Sequence, residues 1–353
     1  MTIDERMQLF RDVFSPRKGE KVLFLVDLPQ GGLKDTSAWQ ARRQMARQWM
    51  TDFKVLAAQI GFTVEMKEYR ATGRNNADIP VETIEAARGA NVVIAMTEFS
   101  ATAPLDGVCK EPGSITRCAS MPGVAREMEE TALRADYKEV KVYAEAITSM
   151  LDRSVAAEIA FSTGDFLHID LRNRRAEADT GDCTRTGQCI NLPAGEAFKV
   201  PYEAVEDEIA TFGQSQTRGI MPVDLAGQMV KLVIEDNKIT EVRGEGPEAA
   251  GLRDLFEENV SRRNIAELGI GCNPQAVVSG SVLEDEKVGL HVAYGLSKHL
   301  GGKVDSDLHE DIVYALGCPV EGTTMSLIDE EGTHTELIRR AALRYELLKG
   351  PNK

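Results

Sequence analysis

Between residues 21 and 151 short apolar, β-rich runs alternate with longer segments of helical spacing, and this alternation constrains the fold more than any other feature. Lys21–Asp27 is such a run, ending at the turn-prone Pro29–Gly32. Ser37–Ile60 has helical spacing, with Trp39, Met45, Trp49, Phe53 and Leu56 following one another at six, four, four and three residues and Ser37 as the expected N-cap. Phe62–Tyr69 reads as a second strand, Val81–Arg88 as a short helix and Asn91–Thr97 as a third strand. Ile115–Ala119 reads as a fourth strand, followed by helices at Val124–Leu133 and Tyr137–Leu151. Strand–helix alternation predicts a parallel sheet with helices on its faces. No G-x-G-x-x-G turn follows the first strand, so this α/β pattern carries no dinucleotide signature.

After residue 155 the texture changes to hairpins. Ala157–Ser162 and Asp165–Leu171 flank Thr163–Gly164, Gln228–Ile234 and Lys238–Val242 flank Asp236–Asn237, and Thr323–Ile328 and Thr333–Leu337 flank Asp329–Gly332. Helical spacing returns at Pro247–Val260, where Leu252, Leu255, Phe256 and Val260 mark the buried stripe. A chain of 353 residues suits about two domains. The expectation is an α/β protein with an amino-terminal α/β domain over 1–155, built on a mainly parallel sheet, and a carboxy-terminal α+β domain over 156–353.

Charge narrows the partners. Lys plus Arg is 41 against 56 Asp plus Glu, a net −15, and a polyanion such as nucleic acid would be repelled. The nearest basic patch, Arg172–Arg175, holds three arginines. No apolar run approaches the ~20 residues of a membrane helix. Met1–Arg11 has no apolar core of a secretory signal. A cytoplasmic chain with reduced cysteines is therefore expected. The six cysteines form no C-x-x-C pair, although Cys183 and Cys189 share a polar loop where they could pair or bind metal.

Chemistry-bearing residues gather late in the chain. His309-Glu310-Asp311 in an extended segment would turn His309 and Asp311 to one face, where they could grip a cation, or it is a surface coincidence. His291 sits inside the apolar run Val288–Tyr294 and reads equally as a core histidine; Glu286, beside Asp285 and Lys287, reads equally as solvated. Glu267 lies among apolar residues and glycines, and a buried carboxylate is costly unless paired or metal-bound. Glu196, in Leu192–Phe198, could be an ordinary loop acid.

Taken in order, the strings NLPAGEAFKVP, RNIAELGIGCNP, EDEKVGLHVAYG and DSDLHEDIV resemble the motifs of the aminopeptidase T/aminopeptidase S family of metallopeptidases. The resemblance covers residues 190–315 well and little of the first domain beyond its α/β pattern. It implies six metal ligands: Glu196, Glu267, Glu286, His291, His309 and Asp311. Four carboxylates and two imidazoles suit Zn²⁺, Co²⁺ or Mn²⁺. Four negative charges favour two divalent ions over one, with Glu267 as the bridging ligand. The implied activity is removal of amino-terminal residues from peptides through water activated by two metals. The resemblance also implies a homodimer. It leaves the general base open, with Glu196 and Glu267 as carboxylates that could shuttle the proton.

One departure stands out: some family members carry a tyrosine seven residues after the metal-binding histidine, where this chain has Lys298. A hydrolase of a non-peptide amide or a specialised metabolite is therefore a second expectation. A third is a mononuclear iron ring-cleaving dioxygenase of the 2,5-dihydroxypyridine type. Those enzymes resemble this chain in the H-x-D pair but place a histidine where Glu267 stands, forming a site of two histidines and one carboxylate.

Overall fold

A computed structural model describes residues 1–349. The first elements are α1 Ile3–Phe14, β1 Lys21–Leu28, α2 Ser37–Ile60, β2 Thr63–Arg70, α3 Val81–Arg88, β3 Val92–Ala95, α4 Thr102–Lys110, β4 Arg117–Ser120 and α5 Tyr137–Arg153. Then come β5 Ser154–Phe161, β6 Phe166–Asp170, β7 Ala176–Asp179, β8 Cys189–Asn191, β9 Glu196–Lys199, α6 Glu206–Phe212, β10 Arg218–Leu225, β11 Gln228–Glu235 and β12 Lys238–Arg243. The last are α7 Pro247–Glu258, β13 Ile265–Gly271, α8 Val282–Asp285, β14 Leu290–Gly295, β15 His309–Val313, β16 Gly322–Asp329, β17 His334–Arg339 and β18 Ala342–Leu343.

The fold is mixed α/β, with a parallel sheet early and antiparallel sheets later, as the sequence predicts. The chain divides into two compact units. The first comprises Met1–Lys141, Asp179–Gly195 and Asn273–Val277; the second comprises Val142–Ala178, Glu196–Cys272 and Val278–Lys353. The first changeover between the units lies at Lys141/Val142, within α5, rather than near residue 155, and Asp179–Gly195 and Asn273–Val277 return to the first unit.

The first unit is built on the parallel sheet β2-β1-β3-β4-β8. Counted within the sheet this is the order 2-1-3-4-5 of a doubly wound fold. Its edge strand β8 pairs Cys118 with Cys189 and Ser120 with Asn191, from a segment far along the chain. All six cysteines are free thiols; Cys183 donates to the Cys118 carbonyl at 3.3 Å. Thr36, not Ser37, caps α2, its hydroxyl accepting the Trp39 N–H at 3.1 Å. The helix expected over 124–133 is instead two 3₁₀ turns, Arg126–Glu129 and Ala132–Arg134. Tertiary bonds oppose a regular helix there, because buried Glu129 accepts the Trp49 indole N–H at 2.6 Å and an Arg6 N–H at 3.4 Å.

The second unit holds an antiparallel sheet, β12-β11-β10-β6-β5-β16-β17-β18, and a five-stranded sheet, β15-β14-β13-β9-β7. One apolar cluster, including Ile159, Leu232, Phe256, Ile270 and Val292, forms its core. Every residue of β13 and β14 is buried, which explains their continuous apolar character and makes any polar side chain on them costly. Among the described residues no helix is long and apolar enough to cross a membrane.

Candidate metal centre

The five-stranded sheet places five of the six expected residues on one face. Opposed residues share a face, and so do residues i and i+2 of one strand. Glu267 on β13 opposes Ala293, which opposes Asp311 on β15. His291 on β14 opposes Gly269, His309 opposes Gly295, and Glu196 on β9 opposes Gly271. Large polar side chains thus alternate with glycine or alanine. A Cβ built on Gly269 would overlap His291 Nε2, and one on Gly271 would overlap the backbone of Glu286 and Lys287. The glycines of the ELGIG string are the space into which the neighbouring strand's imidazole and the α8–β14 loop fit.

The contacts form two groups joined at one carboxylate. Glu196 Oε2 and Glu267 Oε1 lie 3.3 and 3.4 Å from His291 Nε2. Glu267 Oε2 and Asp311 Oδ1 lie 3.3 and 3.5 Å from His309 Nε2. Glu196, Glu267 and His291 are buried, and His309 and Asp311 are half-buried. Glu267 therefore offers one oxygen to each imidazole. Glu286 joins neither group. Its Oε1 is 2.6 Å from the fully buried Lys287 ammonium, which also reaches Glu196 Oε1 at 2.6 Å. In the sequence Lys287 stands only as a neighbour of Glu286, inside the same EDEK string.

The charged groups lie close enough to shift one another's ionisation. Burial opposes ionisation of Glu267, but His291 and His309 outweigh it and hold the carboxyl down at about 2. Burial likewise opposes the charge on Glu196, and Lys287 and His291 lower it nonetheless. Burial pushes Glu286 up to about 8, against Lys287 and with Glu196 and Asp311 adding repulsion. Burial disfavours the imidazolium forms of His291 and His309, but the facing carboxylates hold both well above the usual histidine range.

The donor set fits divalent cations on three grounds. First, the ring nitrogens are sorted. His291 Nδ1 faces the Gly289 carbonyl at 3.3 Å, and His309 Nδ1 faces the Leu296 carbonyl at 2.7 Å. A carbonyl only accepts, so Nδ1 carries the proton and the neutral ring aims a lone pair from Nε2 at carboxylates. That arrangement needs a cation or a second proton between them. Second, bonds of ~2.0–2.2 Å around a tetrahedral ion give ligand–ligand edges of roughly 3.3–3.6 Å, matching the four nitrogen–oxygen separations. Third, Glu196 Oε2 is buried without a well-formed hydrogen bond.

Lys298, the departure noted above, points away from this cluster; its ammonium pairs with exposed Asp305 at 2.9 Å. The next residue, His299, lies against the centre instead. Its ring meets that of His309 edge-on, with centroids 5.0 Å apart at 86°. No sequence signal separated His299 from an ordinary surface histidine.

No protein-family model matches this sequence, and no curated protein does. Among solved structures, the chain is similar to 2,5-dihydroxypyridine dioxygenase from Pseudomonas putida KT2440, with a TM-score of 0.71 and 16% identity over 99% of this chain and 100% of that one. It is also similar to aminopeptidase T (AmpT) from Thermus thermophilus, with a TM-score of 0.61 and 16% identity over 97% of this chain and 98% of that one. The chain therefore shares, over nearly its whole length, the fold implied by its resemblance to aminopeptidase T.

Proposed function

We propose that this chain is a two-metal hydrolase that removes amino-terminal residues from peptides. The observation that carries this reading is Glu267, which presents one oxygen to His291 and the other to His309. A single iron held by two histidines and one carboxylate has no use for a second acid at that position, nor for Glu196 and Glu286. The residues that would hold the ions are Glu196, Glu267 and His291 on one side, Glu267, His309 and Asp311 on the other, with Glu286 beside them. Two divalent ions, Zn²⁺, Co²⁺ or Mn²⁺, would supply Lewis acidity that acidifies water and polarises a scissile carbonyl.

The chain's own residues do the rest. Lys287 fixes one oxygen of Glu196 and one of Glu286, leaving Glu196 Oε2 as the oxygen that faces His291 and would hold an ion; a ligand carboxylate, Glu196 or Glu267, would shuttle the proton of attacking water. The buried strands around Glu267 exclude bulk water and strengthen each charge interaction. The free amine of a peptide would be held by one ion or a neighbouring carboxylate while the other ion polarises the carbonyl. Unblocked dipeptides and aminoacyl anilides should therefore be hydrolysed and their amino-acetylated forms not. Activity should vanish with chelator, return with Zn²⁺, Co²⁺ or Mn²⁺, and need no dioxygen. Consumption of dioxygen with a dihydroxypyridine, without peptide cleavage, would replace this reading with the iron enzyme. Hydrolysis of other amides alone would keep the centre and change the substrate. We further infer a cytoplasmic homodimer.

The imidazoles give a pH signature. In the ion-free protein His291 and His309 are raised above the unfolded value of 6.5, so the stability they contribute is fully present below that value and lost as pH rises through the folded one. Glu267 is depressed to about 2, so its contribution is present above 4.5 and lost as pH falls through about 2. A divalent ion must displace the imidazole protons. Thermal unfolding with chelator should show stability falling as pH rises above ~6.5. Protein loaded with Zn²⁺ should not show that fall, and loading should release protons in unbuffered solution.

A further inference from the structure

The face of the five-stranded sheet turned away from the metal cluster carries a second group of charges. Lys199 lies three residues after Glu196 on β9, so its side chain points to the opposite face. It is 2% exposed, and its ammonium donates to the Leu151 carbonyl at 2.8 Å and the Ser154 carbonyl at 3.2 Å, at the end of α5. Among the described residues no carboxylate pairs with it. Burial pushes its pKa down, against the pull of Asp152 and Asp170. A buried ammonium without a counter-charge is costly, and the carbonyls at a helix end offset only part of that cost.

Lys199 lines a cleft of about 730 Å³, within the ~300–1,000 Å³ of small-molecule sites. Strands β6, β5 and β16 lie side by side at this cleft, and they sort its charges. The Leu171 N–H donates to the Val155 carbonyl at 2.8 Å, which sets Arg172, just after β6, at the same sheet end as Arg153, just before β5. Arg172 gives Nε and Nη2 to Asp170 at 2.9 and 2.7 Å. Arg153 is exposed, and among the described residues nothing pairs with its guanidinium. On the other side Ser154 pairs with Asp329 of β16, and the turn that follows presents Glu330 and Glu331, both exposed and without a partner among the described residues. Two strand spacings, about 10 Å, separate β6 from β16. Phe212, 46% exposed at the end of α6, adds an apolar surface to the cleft. A simple anion here meets Glu330 and Glu331, and a simple cation meets Arg153 and Lys199. A molecule carrying both charges meets a partner for each.

We propose that this cleft binds a small zwitterion of the kind a short peptide presents, its carboxylate held by Arg153 and Arg172 near the Lys199 charge, its ammonium by Glu330 and Glu331, and the chain between them lying on Phe212. The site is separate from the metal cluster, since Lys199 and Glu196 point to opposite faces of β9, and it does not depend on that cluster's chemistry. Binding exchanges contacts with water for contacts with the protein; no covalent bond forms and no proton moves.

The test is calorimetric titration of the full chain, equilibrated with Zn²⁺, with 6-aminohexanoate, a zwitterion between a dipeptide and a tripeptide in length with no amide bond to cleave. Hexanoate and hexylammonium are the single-charge probes. The zwitterion should bind at least about tenfold more tightly than either of them. Arg153→Ala should weaken it about three- to tenfold, the double variant Glu330→Gln/Glu331→Gln by a similar factor, and added salt should weaken it further. All three side chains are exposed, so the variants should fold as the parent does and keep its metal content. Hexanoate or hexylammonium binding as tightly as the zwitterion would reduce the cleft to a site for one charge and overturn the proposal. So would a parent that binds none of the probes. Zwitterion binding that neither variant alters would place the probe elsewhere, the metal cluster included, and would overturn it equally.

Discussion

Glu267→Gln is expected to abolish hydrolysis and to lower divalent-metal affinity by more than the ~10–100-fold typical of losing a ligand's supporting partner. The side chain keeps its shape, but the amide cannot give one anionic oxygen to each side of the centre. Both imidazoles would lose a facing negative charge at once, since Oε1 lies 3.4 Å from His291 and Oε2 3.3 Å from His309. The fold should survive, because an amide has the volume of the acid and Glu196 and Asp311 still face the two rings. Circular dichroism and metal titration together check this. His334→Gln is the control: its exposed ring approaches half-buried Glu158 at 3.9 Å, and both metal binding and activity should be unchanged.

Gly269→Ala tests the same centre from the backbone side and should be nearly as damaging. The added methyl would overlap His291 Nε2, the atom that faces Glu196 and Glu267. His291 is almost wholly buried and its Nδ1 is turned to the Gly289 carbonyl, so the ring has little room to withdraw. Overpacking of this kind costs about 1–3 kcal/mol of stability. The larger effect should be on the His291 side of the centre. Metal titration should find one strong site where the parent has two, the remaining one formed by Glu267, His309 and Asp311. A variant that binds two ions with parent affinity would show that His291 lies outside the centre.

The sequence was legible where local pattern and tertiary role agree. The bounds of Ser37–Ile60 and Val81–Arg88 match the helices, because an apolar stripe and a following glycine specify each of them locally. Thr102–Lys110 went unread: Pro104 and Gly107 disfavour a helix, yet proline is tolerated in the first turn and Leu105 and Val108 are buried beneath it. β8 was invisible as a strand of the parallel sheet, since nothing local tells Cys189–Asn191 to pair with β4. The same distinction holds at the centre. Glu196, Glu267, Glu286, His291, His309 and Asp311 could be named because they sit in ordered strings. Their division into two groups, with Glu286 tied to Lys287, depends on strand register and side-chain direction. Lys287 and His299 are defined by what they touch, and composition and spacing say nothing about that.

Glu267 is proposed to be shared by two ions, not one. The most direct test is elemental analysis of the full chain purified without chelator and then equilibrated with Zn²⁺, Co²⁺, Mn²⁺ or Fe²⁺. Two divalent ions per chain are expected, both lost in Glu267→Gln. One iron per chain, retained in Glu267→Gln and accompanied by dioxygen consumption, would contradict this.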